Sequence, residues 1–592
     1  MSTDTASSAR HVLVAVAWPY ANGLSHLGHI AGAYLPADVF ARYHRIAGNR
    51  VLMVSGTDAH GTPITVKADQ EGVAPSEIVE RYNPRFHEQW ERLGISFDLF
   101  TTTMTDNHRE VTWDVFRTLH AQGFVEPRTT EQFFDPQAGR FLPDRYVEGT
   151  CPRCQSPDAR GDQCDECGAT LDPVDLIDPR SKLTGASPEP RETEHYFLLL
   201  PRLEKQLAAW LEDRDGWRGH VINWARGFVR EGLQERAITR DLSWGIPIPP
   251  ELDISTDASE KRIYVWFEAV IGYLSAAKEW AQQQGQPDAW QAWWTDPTAE
   301  SYYFIGKDNV PFHAVFWPAE LMGYNAGADH PLNLPTDVPA NQYVTFRGAK
   351  ASKSRGVGTS LLDYLEIYGP DELRYALATI LPEQADTDLS EDELVRRVND
   401  ELVATWGNLV NRVLSMTRKN FDGVVPDPTE LDERDRQLLE TVDAHLVEQA
   451  RLLEHIELRR ALKEALAAAQ ATNAYLNALE PWKTAKEDRD RTATTLWTAL
   501  QAISGINVAF APYTPFAAQQ LHEWLGGDGQ LTDHGWVRAE VPAGTQLGKP
   551  RPLFSKLEVA EEACGGADDS AAVAWQAHRD DHRWPPTSDG VP

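Results

Sequence analysis

The sequence is short of three things: long apolar runs, positive charge and cysteine. No apolar run approaches the roughly 20 residues that a membrane-spanning helix needs, which excludes transmembrane helices and predicts no membrane partner. Residues 1–10 are small and polar and lack the apolar core of an export signal, so we expect a cytoplasmic protein.

The shortage of positive charge is large, since 56 Lys and Arg residues face 88 Asp and Glu residues, for a net charge of −32. This excludes a protein coated in positive potential. It does not exclude RNA as a partner, because RNA binding requires only local basic faces and aromatic residues that stack on bases. An apolar share of 42% over 592 residues predicts a globular protein of roughly three or four domains.

The few cysteines are concentrated in one short segment. Of 5 cysteines, 4 lie in Cys151-Pro-Arg-Cys154 and Cys164-Asp-Glu-Cys167, and only Cys564 lies elsewhere. Two Cys-x-x-Cys pairs at this distance predict a tetrahedral Zn²⁺ site, with chance spacing or a redox pair as the alternative. Four thiolates leave no open coordination position, so we expect this zinc to be structural and to take no part in catalysis.

The stretch around His26 and His29 predicts a phosphate-binding βαβ unit. An apolar, β-branched run at residues 12–17 predicts a buried strand, residues 30–46 have helical spacing, and residues 51–54 predict a second strand. Ligands bind beyond the carboxyl ends of parallel strands, where a helix N-terminus offers free N–H groups to an anion. The two histidines would add donors to such a phosphate site.

Three later segments carry further candidate chemistry. Residues 263–273 predict a strand that runs into a helix, with aromatic residues suited to a polarisable thioether side chain. Residues 304–308 predict a strand and a turn that places a carboxylate where a ribose hydroxyl could donate to it. Residues 348–356 predict a loop with two lysines that could hold a departing pyrophosphate, and amphipathic helices follow residue 389.

These motifs resemble those of class I aminoacyl-tRNA synthetases, and the methionyl-tRNA synthetase family fits them best. Pro19-Tyr20-Ala21-Asn22-Gly23 followed by His26-Leu27-Gly28-His29 is similar to one signature of the class. Lys350-Ala351-Ser352-Lys353-Ser354 is similar to the Lys-Met-Ser-Lys-Ser loop, although Ala351 stands where the family usually has a bulky apolar residue. The consequence of this departure is open. The resemblance covers residues 11 to about 555.

The resemblance implies an α/β fold, a Rossmann-like doubly wound parallel sheet with a zinc-bearing connective insert, followed by an all-α helical bundle that binds the anticodon. The nucleotide-binding half would occupy residues 1–120 and 241–389, and the insert would occupy residues 121–240, with its zinc knuckle at 151–168. The helical bundle would occupy residues 390–555. Residues 556–592 are small and acidic and would form a disordered tail.

The same resemblance implies a site for each substrate of a methionine–tRNA ligase. The reaction would join L-methionine to tRNA(Met) with ATP, which Mg²⁺ would accompany, and the enzyme would be a monomer. His26, His29, Lys350 and Lys353 would be catalytic. ATP would contact Gly28, Gly306, Asp308 and Lys353. Methionine would contact Trp18, Tyr20, Asp58, Trp266, Ala269, Tyr273 and His313, with Asp58 on its ammonium group. The anticodon would contact Asn408, Arg412, Pro481 and Trp482, and Cys151, Cys154, Cys164 and Cys167 would hold the zinc.

Other functions remain open at this point. The chain could be a class I synthetase of another specificity, although the valine, isoleucine and leucine enzymes carry a large editing domain between the two signatures. It could be a paralogue that binds tRNA without catalysis, or a second, inhibitor-resistant copy of the methionine enzyme. Pyrophosphate exchange across all twenty amino acids would distinguish most of these.

Overall fold

The structure is a computed structural model that describes residues 9–142, 146–161, 164, 166–167, 169, 171–252, 254, 261–346, 349–350 and 360–558. No helix within these ranges is long and apolar enough to cross a membrane. The predicted loop at 348–356 and the predicted tail therefore lie mostly outside the described residues.

A parallel five-stranded sheet forms the centre of the first half of the chain. Its strands are β1 (His11–Val16), β2 (Arg50–Thr57), β3 (Leu99–Thr102), β4 (Glu300–Gly306) and β5 (Ala340–Asn341), in the spatial order β5-β4-β1-β2-β3. Every pairing is parallel. Residues 12–16 of the central strand β1 are fully buried, as the continuous apolar run predicts. The predicted parallel α/β fold is confirmed.

Helices cover both faces of this sheet, and two of them contain a wider π-helical turn. The helix after β1 starts at Leu27, earlier than predicted, and winds as a π-helix over Ile30–Tyr34 before Leu35–Ile46. A second π-helical turn, Phe312–Phe316, leads into Trp317–Tyr324. The remaining helices of this half are Thr62–Glu71, Pro75–Leu93, Asp106–Ala121, Val265–Gln283 and Gln291–Trp294, with a 3₁₀ turn at Lys307–Asn309.

The insert between β3 and β4 is built on a long antiparallel ladder. Val125–Asp135 pairs with Glu189–Leu198 along its length, and a separate three-stranded sheet carries the cysteine segment. The shorter strands of the insert are Arg140–Phe141, Val147–Thr150, Ala159–Arg160, Ile177–Ser181, Arg236–Ala237, Thr239–Asp241 and Lys261–Ile263. Its helices are Glu204–Glu212 and Gly219–Arg230, with 3₁₀ turns at Pro173–Asp175 and Leu200–Arg202.

The second half is helical, as the amphipathic spacing predicts. Its helices are Leu361–Ile367, Pro370–Thr379, Glu391–Arg397, Asn408–Phe421, Glu433–Glu454, Leu458–Leu479, Pro481–Thr484, Arg489–Phe510 and Pro515–Trp524, with a π-helix at Val398–Gly407 and a 3₁₀ turn at Leu531–His534. Strands Val344–Phe346, Ala349–Lys350 and Thr387–Leu389 form a small separate sheet, whose last strand follows the first two of these helices. The chain remains held as far as Leu557, whose N–H and C=O both bond the side chain of Asn399.

Arg374 joins the two halves at a fully buried position. Its guanidinium donates to Asp38 Oδ2 at 2.6 Å on the helix that follows β1. It also donates to the carbonyl oxygens of Pro512 and Tyr513, at 2.8 and 3.0 Å, just after helix Arg489–Phe510. One side chain therefore ties the helical half to the helix that starts at the predicted phosphate site.

Candidate active site

A cavity of about 1300 Å³ opens beyond the carboxyl ends of β1 and β4. Residues that follow β1, including Trp18 and Tyr20, form one wall, and Gly306 and Asp308 after β4 form another. This is the crevice in which parallel α/β sheets bind ligands. The predicted residues that line it are Trp18, Tyr20, His26, Gly28, His29, Trp266, Gly306 and Asp308.

His26 and His29 lie side by side at the start of the helix that follows β1. Their ring centroids are 3.8 Å apart, and His26 Nδ1 accepts the N–H of Gly28 at 3.1 Å. His29 Nδ1 in turn accepts the N–H of His26 at 3.3 Å. Each neutral ring therefore carries its proton on Nε2, as a donor. A Cβ on Gly28 would lie 3.0 Å from the His26 ring, so a larger residue would disturb this pair.

Asp58 lies at the end of β2, behind the cavity wall, and its carboxyl group is almost completely buried. Backbone bonds fix its position, because its N–H donates to Pro19 at 2.9 Å and its C=O accepts from Ala21 at 3.3 Å. The pKa of Asp58 is raised to about 8. Burial is the larger cause of this rise, and the nearby charge of Glu268 is the second.

Glu268 is a fully buried carboxylate between two histidines, and the sequence analysis assigned it no role. Both of its oxygens lie 3.0 Å from His60 Nδ1, and Oε2 lies 3.3 Å from His108 Nε2. Burial acts to raise the pKa of Glu268, but His60 and His108 outweigh burial and lower it. Burial acts to lower the pKa of His60, yet Glu268 and Asp58 raise it. The pair Glu268 and His60 is therefore held in its charged form.

Aromatic residues close the cavity on the side of helix Val265–Gln283. The rings of Trp266 and Phe312 stack at 4.0 Å with an angle of 7° between their planes. Tyr20 packs edge-on to Trp266 at 6.2 Å. The strand predicted at residue 263 ends there and the helix begins at Val265, so Trp266 projects from the first turn of a helix.

Three other predicted methionine contacts lie behind these rings and do not line the cavity. Ala269, Tyr273 and His313 are at most 7% exposed. His313 Nδ1 lies 2.9 Å from the carbonyl oxygen of Asn309, which fixes the proton on Nδ1 and leaves Nε2 to accept from Tyr273 Oη at 2.7 Å. Burial lowers the pKa of His313 to about 4, so its ring is neutral.

Trp18 depends on two glycines for its place in the wall. A Cβ on Gly56 would lie 2.3 Å from its ring, and a Cβ on Gly272 would lie 2.7 Å from it. Neither distance is possible for real atoms, so Trp18 packs directly on two stretches of bare backbone. On the other side of the cavity, the Tyr343 hydroxyl donates to the carboxylate of Asp308.

The four cysteines of the insert converge. Their sulfur atoms lie within 4.8 Å of one another, with Cys151 to Cys167 at 3.9 Å and Cys154 to Cys164 at 3.5 Å. A tetrahedron of Zn–S bonds of about 2.3 Å requires sulfur atoms about 3.8 Å apart, so this set fits a zinc ion. Cys151 and Cys164 are buried and Cys154 and Cys167 are exposed, as expected for a knuckle near the surface.

The residues predicted for the anticodon lie together on the helical half. The guanidinium of Arg412 lies over the Trp482 ring at 5.3 Å from its centroid, and Trp482 is 42% exposed. Pro481, before it, is buried at the start of a short helix, and Asn408 is exposed one turn before Arg412. The sequence analysis missed Asn473 and Asn477, whose side-chain oxygens accept from Arg412 at 3.4 and 3.3 Å.

The two predicted lysines lie in a segment that the structure describes only in part. The backbone of Lys350 belongs to strand Ala349–Lys350 and pairs with Thr345, whereas Lys353 and Ala351 lie outside the described residues. Their predicted role stays a prediction.

Comparison with known proteins agrees with this geometry. Residues 12–414 match the family model described as tRNA synthetases class I (M), and residues 425–564 match the anticodon binding domain of methionyl tRNA ligase. The parallel sheet, its cavity and the helical half thus define a class I aminoacyl-tRNA synthetase. Within that class, the chain belongs to the methionine–tRNA ligase family.

Individual relatives support the same family. The methionine–tRNA ligase of Thermomicrobium roseum is 50% identical over 92% of this chain and 96% of its own length. That of Corynebacterium jeikeium is 47% identical over 93% and 97%. The solved methionyl-tRNA synthetase of Mycobacterium tuberculosis bound by methionyl-adenylate has a TM-score of 0.75 at 26% identity, covering 92% of this chain and all of that chain. The predicted function, an aminoacyl-tRNA ligase of protein biosynthesis, is confirmed.

Proposed function

We propose that this enzyme activates L-methionine with ATP in the cavity between β1 and β4 and transfers it to tRNA(Met). The observation that carries this proposal is the arrangement of two histidine donors, His26 and His29, in the same cavity as a wall of aromatic rings. The histidines suit a phosphate chain and the rings suit a thioether, so one cavity provides for both substrates.

In the first step, a carboxylate oxygen of methionine attacks the α-phosphorus of ATP, the bond to the β-phosphate oxygen breaks, and pyrophosphate leaves with that electron pair. His26 and His29 donate their Nε2–H groups to phosphate oxygens, where negative charge grows in the transition state. Lys350 and Lys353 hold the leaving pyrophosphate, and Gly306 and Asp308 position the ribose. Mg²⁺, when bound with ATP, neutralises phosphate charge.

Methionine recognition divides between charge and shape. Asp58 pairs with the ammonium group, while Trp18, Tyr20 and Trp266 surround the side chain. Because Ala269, Tyr273 and His313 lie behind the Trp266–Phe312 stack, methionine reaches them only when that stack moves. A hydroxyl of the terminal adenosine of the tRNA then attacks the methionyl carbonyl, and AMP leaves.

The remaining parts of the chain position the tRNA. The zinc ion, held by the four cysteines, keeps the insert folded and takes no part in the reaction. On the helical bundle, the exposed ring of Trp482 stacks on an anticodon base while Arg412, Asn408 and Pro481 shape the surface around it. We further propose a cytoplasmic monomer with the domain boundaries given by the sequence.

The test is ATP–pyrophosphate exchange with each of the twenty amino acids, followed by charging of tRNA(Met) transcripts. Methionine alone should support rapid exchange. His29→Asn should reduce exchange by at least 100-fold, on the order expected when a transition-state donor is lost, whereas the exposed His330→Asn control should not change it. Absence of methionine-dependent exchange would indicate a paralogue that binds tRNA without catalysis.

A further inference from the structure

We propose that Glu268 is a positioning residue for methionine: held by His60 and His108, it keeps a proton on Asp58 that the methionine ammonium displaces when it binds. This rests on the proposed role of Asp58. Its consequence is that methionine binding releases a proton to solvent.

Two buried carboxyl groups each contact His60. Glu268 has no exposed surface, and Asp58 is 2% exposed. The backbone N–H of His60 donates to Asp58 Oδ1 at 3.2 Å, while the ring of the same residue contacts Glu268. His60 therefore links the two carboxyl groups directly. Two buried carboxylates that share one neighbour do not both ionise readily, because each charge opposes the other.

The partners decide which carboxyl group keeps the proton. Glu268 has two imidazole contacts, and the second of these rings is itself oriented by Ser275 Oγ, 2.9 Å from His108 Nδ1. Asp58 has no side-chain partner of opposite charge other than the shared His60 within the described residues. Glu268 is accordingly the ionised member, and burial with this charge beside it raises the pKa of Asp58 to about 8.

Within the described residues, the titratable groups that face this cluster come from three elements. Besides Asp58 and His60 on the loop after β2, helix Asp106–Ala121 contributes His108, and helix Val265–Gln283 contributes Glu268, Tyr273 and Glu279. Burial raises the pKa of Tyr273 well above its usual value, so it stays neutral. Burial also raises the pKa of Glu279, whose Oε2 accepts from Thr101 at 2.9 Å. Among the described residues, His60 alone contributes positive charge close enough to Asp58 to lower its pKa.

An incoming ammonium group supplies the missing positive charge. It can pair with Asp58 only when that carboxyl group is ionised, so binding and proton loss occur together. With a pKa of about 8, close to one proton should leave at pH 6.5 and about half a proton at pH 8. Below pH 7 the Kd for methionine should rise by nearly tenfold for each unit that the pH falls.

The experiment is calorimetric titration of the full-length enzyme with methionine, in pairs of buffers that differ in ionisation enthalpy, between pH 6 and pH 8.5. The comparison ligand is 4-(methylthio)butanoate, which is methionine without its ammonium group. Methionine should release protons and the comparison ligand should release none. Methionine binding without proton release would overturn the inference and leave the proposed function standing, whereas no methionine binding at all would overturn the proposed function.

Three variants locate the effect at Glu268. In Glu268→Gln, His60 has only Asp58 as an anionic partner, so proton release should move below neutral pH. Glu268→Asp keeps the charge and should restore the release, which a merely structural role would not predict. Glu110→Gln, the same change at an exposed position on the helix that carries His108, is the matched control and should behave as the wild type does.

A further variant covers the case in which Glu268→Gln does not fold. His60→Asn removes the positive neighbour of Asp58, so the pH of half-release should rise above 8. Proton release that is the same in His60→Asn and in the wild type would overturn the inference, as would unchanged release in a folded Glu268→Gln.

Discussion

Arg374→Met should uncouple the helical half from the catalytic half. In the wild type Arg374 is fully buried and bonds Asp38 together with the carbonyl oxygens of Pro512 and Tyr513. The methionine side chain introduced at position 374 fills a similar volume to arginine but donates no hydrogen bond. The variant therefore leaves those two carbonyl groups buried without this donor and removes one of two cations from Asp38.

The loss of stability in Arg374→Met depends on the hydrogen-bond partners that Asp38 retains. Breaking a buried ion pair costs about 3–5 kcal/mol when the remaining charge is left alone. In the variant, Asp38 still accepts from Arg42 Nε at 2.8 Å and from both donors of Ser96. Its negative charge is therefore still partly compensated, and the lower end of the range of about 3–5 kcal/mol applies. We expect a loss of about 3 kcal/mol in the free energy of unfolding. Arg42→Met, at a partly exposed position, should cost only about 1 kcal/mol.

The contact between Arg374 and Asp38 should also affect how the free energy of unfolding depends on pH. Burial acts to raise the pKa of Asp38, but Arg42, Arg374 and Ser96 outweigh it and hold this pKa well below its usual range. A carboxylate with a depressed pKa stabilises the fold above its unfolded pKa, near 4, and loses that contribution as the pH falls through its folded value. In Arg374→Met the folded pKa rises toward the unfolded value, so the loss of stability in acid should be smaller and should be complete at a higher pH.

The assay is urea unfolding from pH 3 to pH 7, followed both by circular dichroism and by tryptophan fluorescence. We expect the two signals to separate in Arg374→Met, because the two halves then unfold at different urea concentrations. The reasoning is refuted if Arg374→Met costs no more than Arg42→Met, or if both signals still change together with an unshifted acid limit.

Three further predictions concern the insert, the bundle and the cavity wall. Cys164→Ser should release the zinc and destabilise the insert, and metal analysis by mass spectrometry of wild type and variant checks this; a wild type without stoichiometric zinc would remove the basis for it. Trp482→Ala should lower tRNA charging by roughly 10-fold or more, the loss of about 1–3 kcal/mol of stacking, with pyrophosphate exchange retained; equal loss in both assays would make Trp482 a packing residue. Gly272→Ala would place a Cβ 2.7 Å from the Trp18 ring, so it should raise the KM for methionine and cost about 1–3 kcal/mol of stability. Steady-state kinetics and urea unfolding measure the two effects. An unchanged KM would show that Trp18 does not shape the site.

The sequence predicted the framework because its signals are local. The apolar run of β1, the helix after His29 and the paired cysteines each occupy a short stretch, and their physical requirements are met within that stretch. The spacing of amphipathic residues likewise predicted the helical half. Such features need little information about distant parts of the chain.

The sequence could not show contacts between residues far apart along the chain. Glu268 meets His60 across 208 positions and His108 across 160, and nothing near Glu268 in the sequence indicates either partner. The only signal was an acidic residue within an otherwise apolar and aromatic run. Arg374 is similar, since its partners lie 336 and 138 positions away. The depth of Ala269, Tyr273 and His313 behind the aromatic stack also depends on long-range packing.

The two π-helical turns of the catalytic half determine where its helices can change length. Ile30–Tyr34 follows His29 directly, and Phe312–Phe316 contains His313. A π-helical turn holds one more residue than the α-helix around it would need. Removing one residue from either turn would therefore restore regular winding and leave the residues beyond it in nearly the same orientation. The same deletion in the regular winding of helix Leu35–Ile46, before Asp38, would rotate Asp38 by about 100° away from Arg374. The turn Ile30–Tyr34 is thus the place where this helix can lose a residue without breaking that contact.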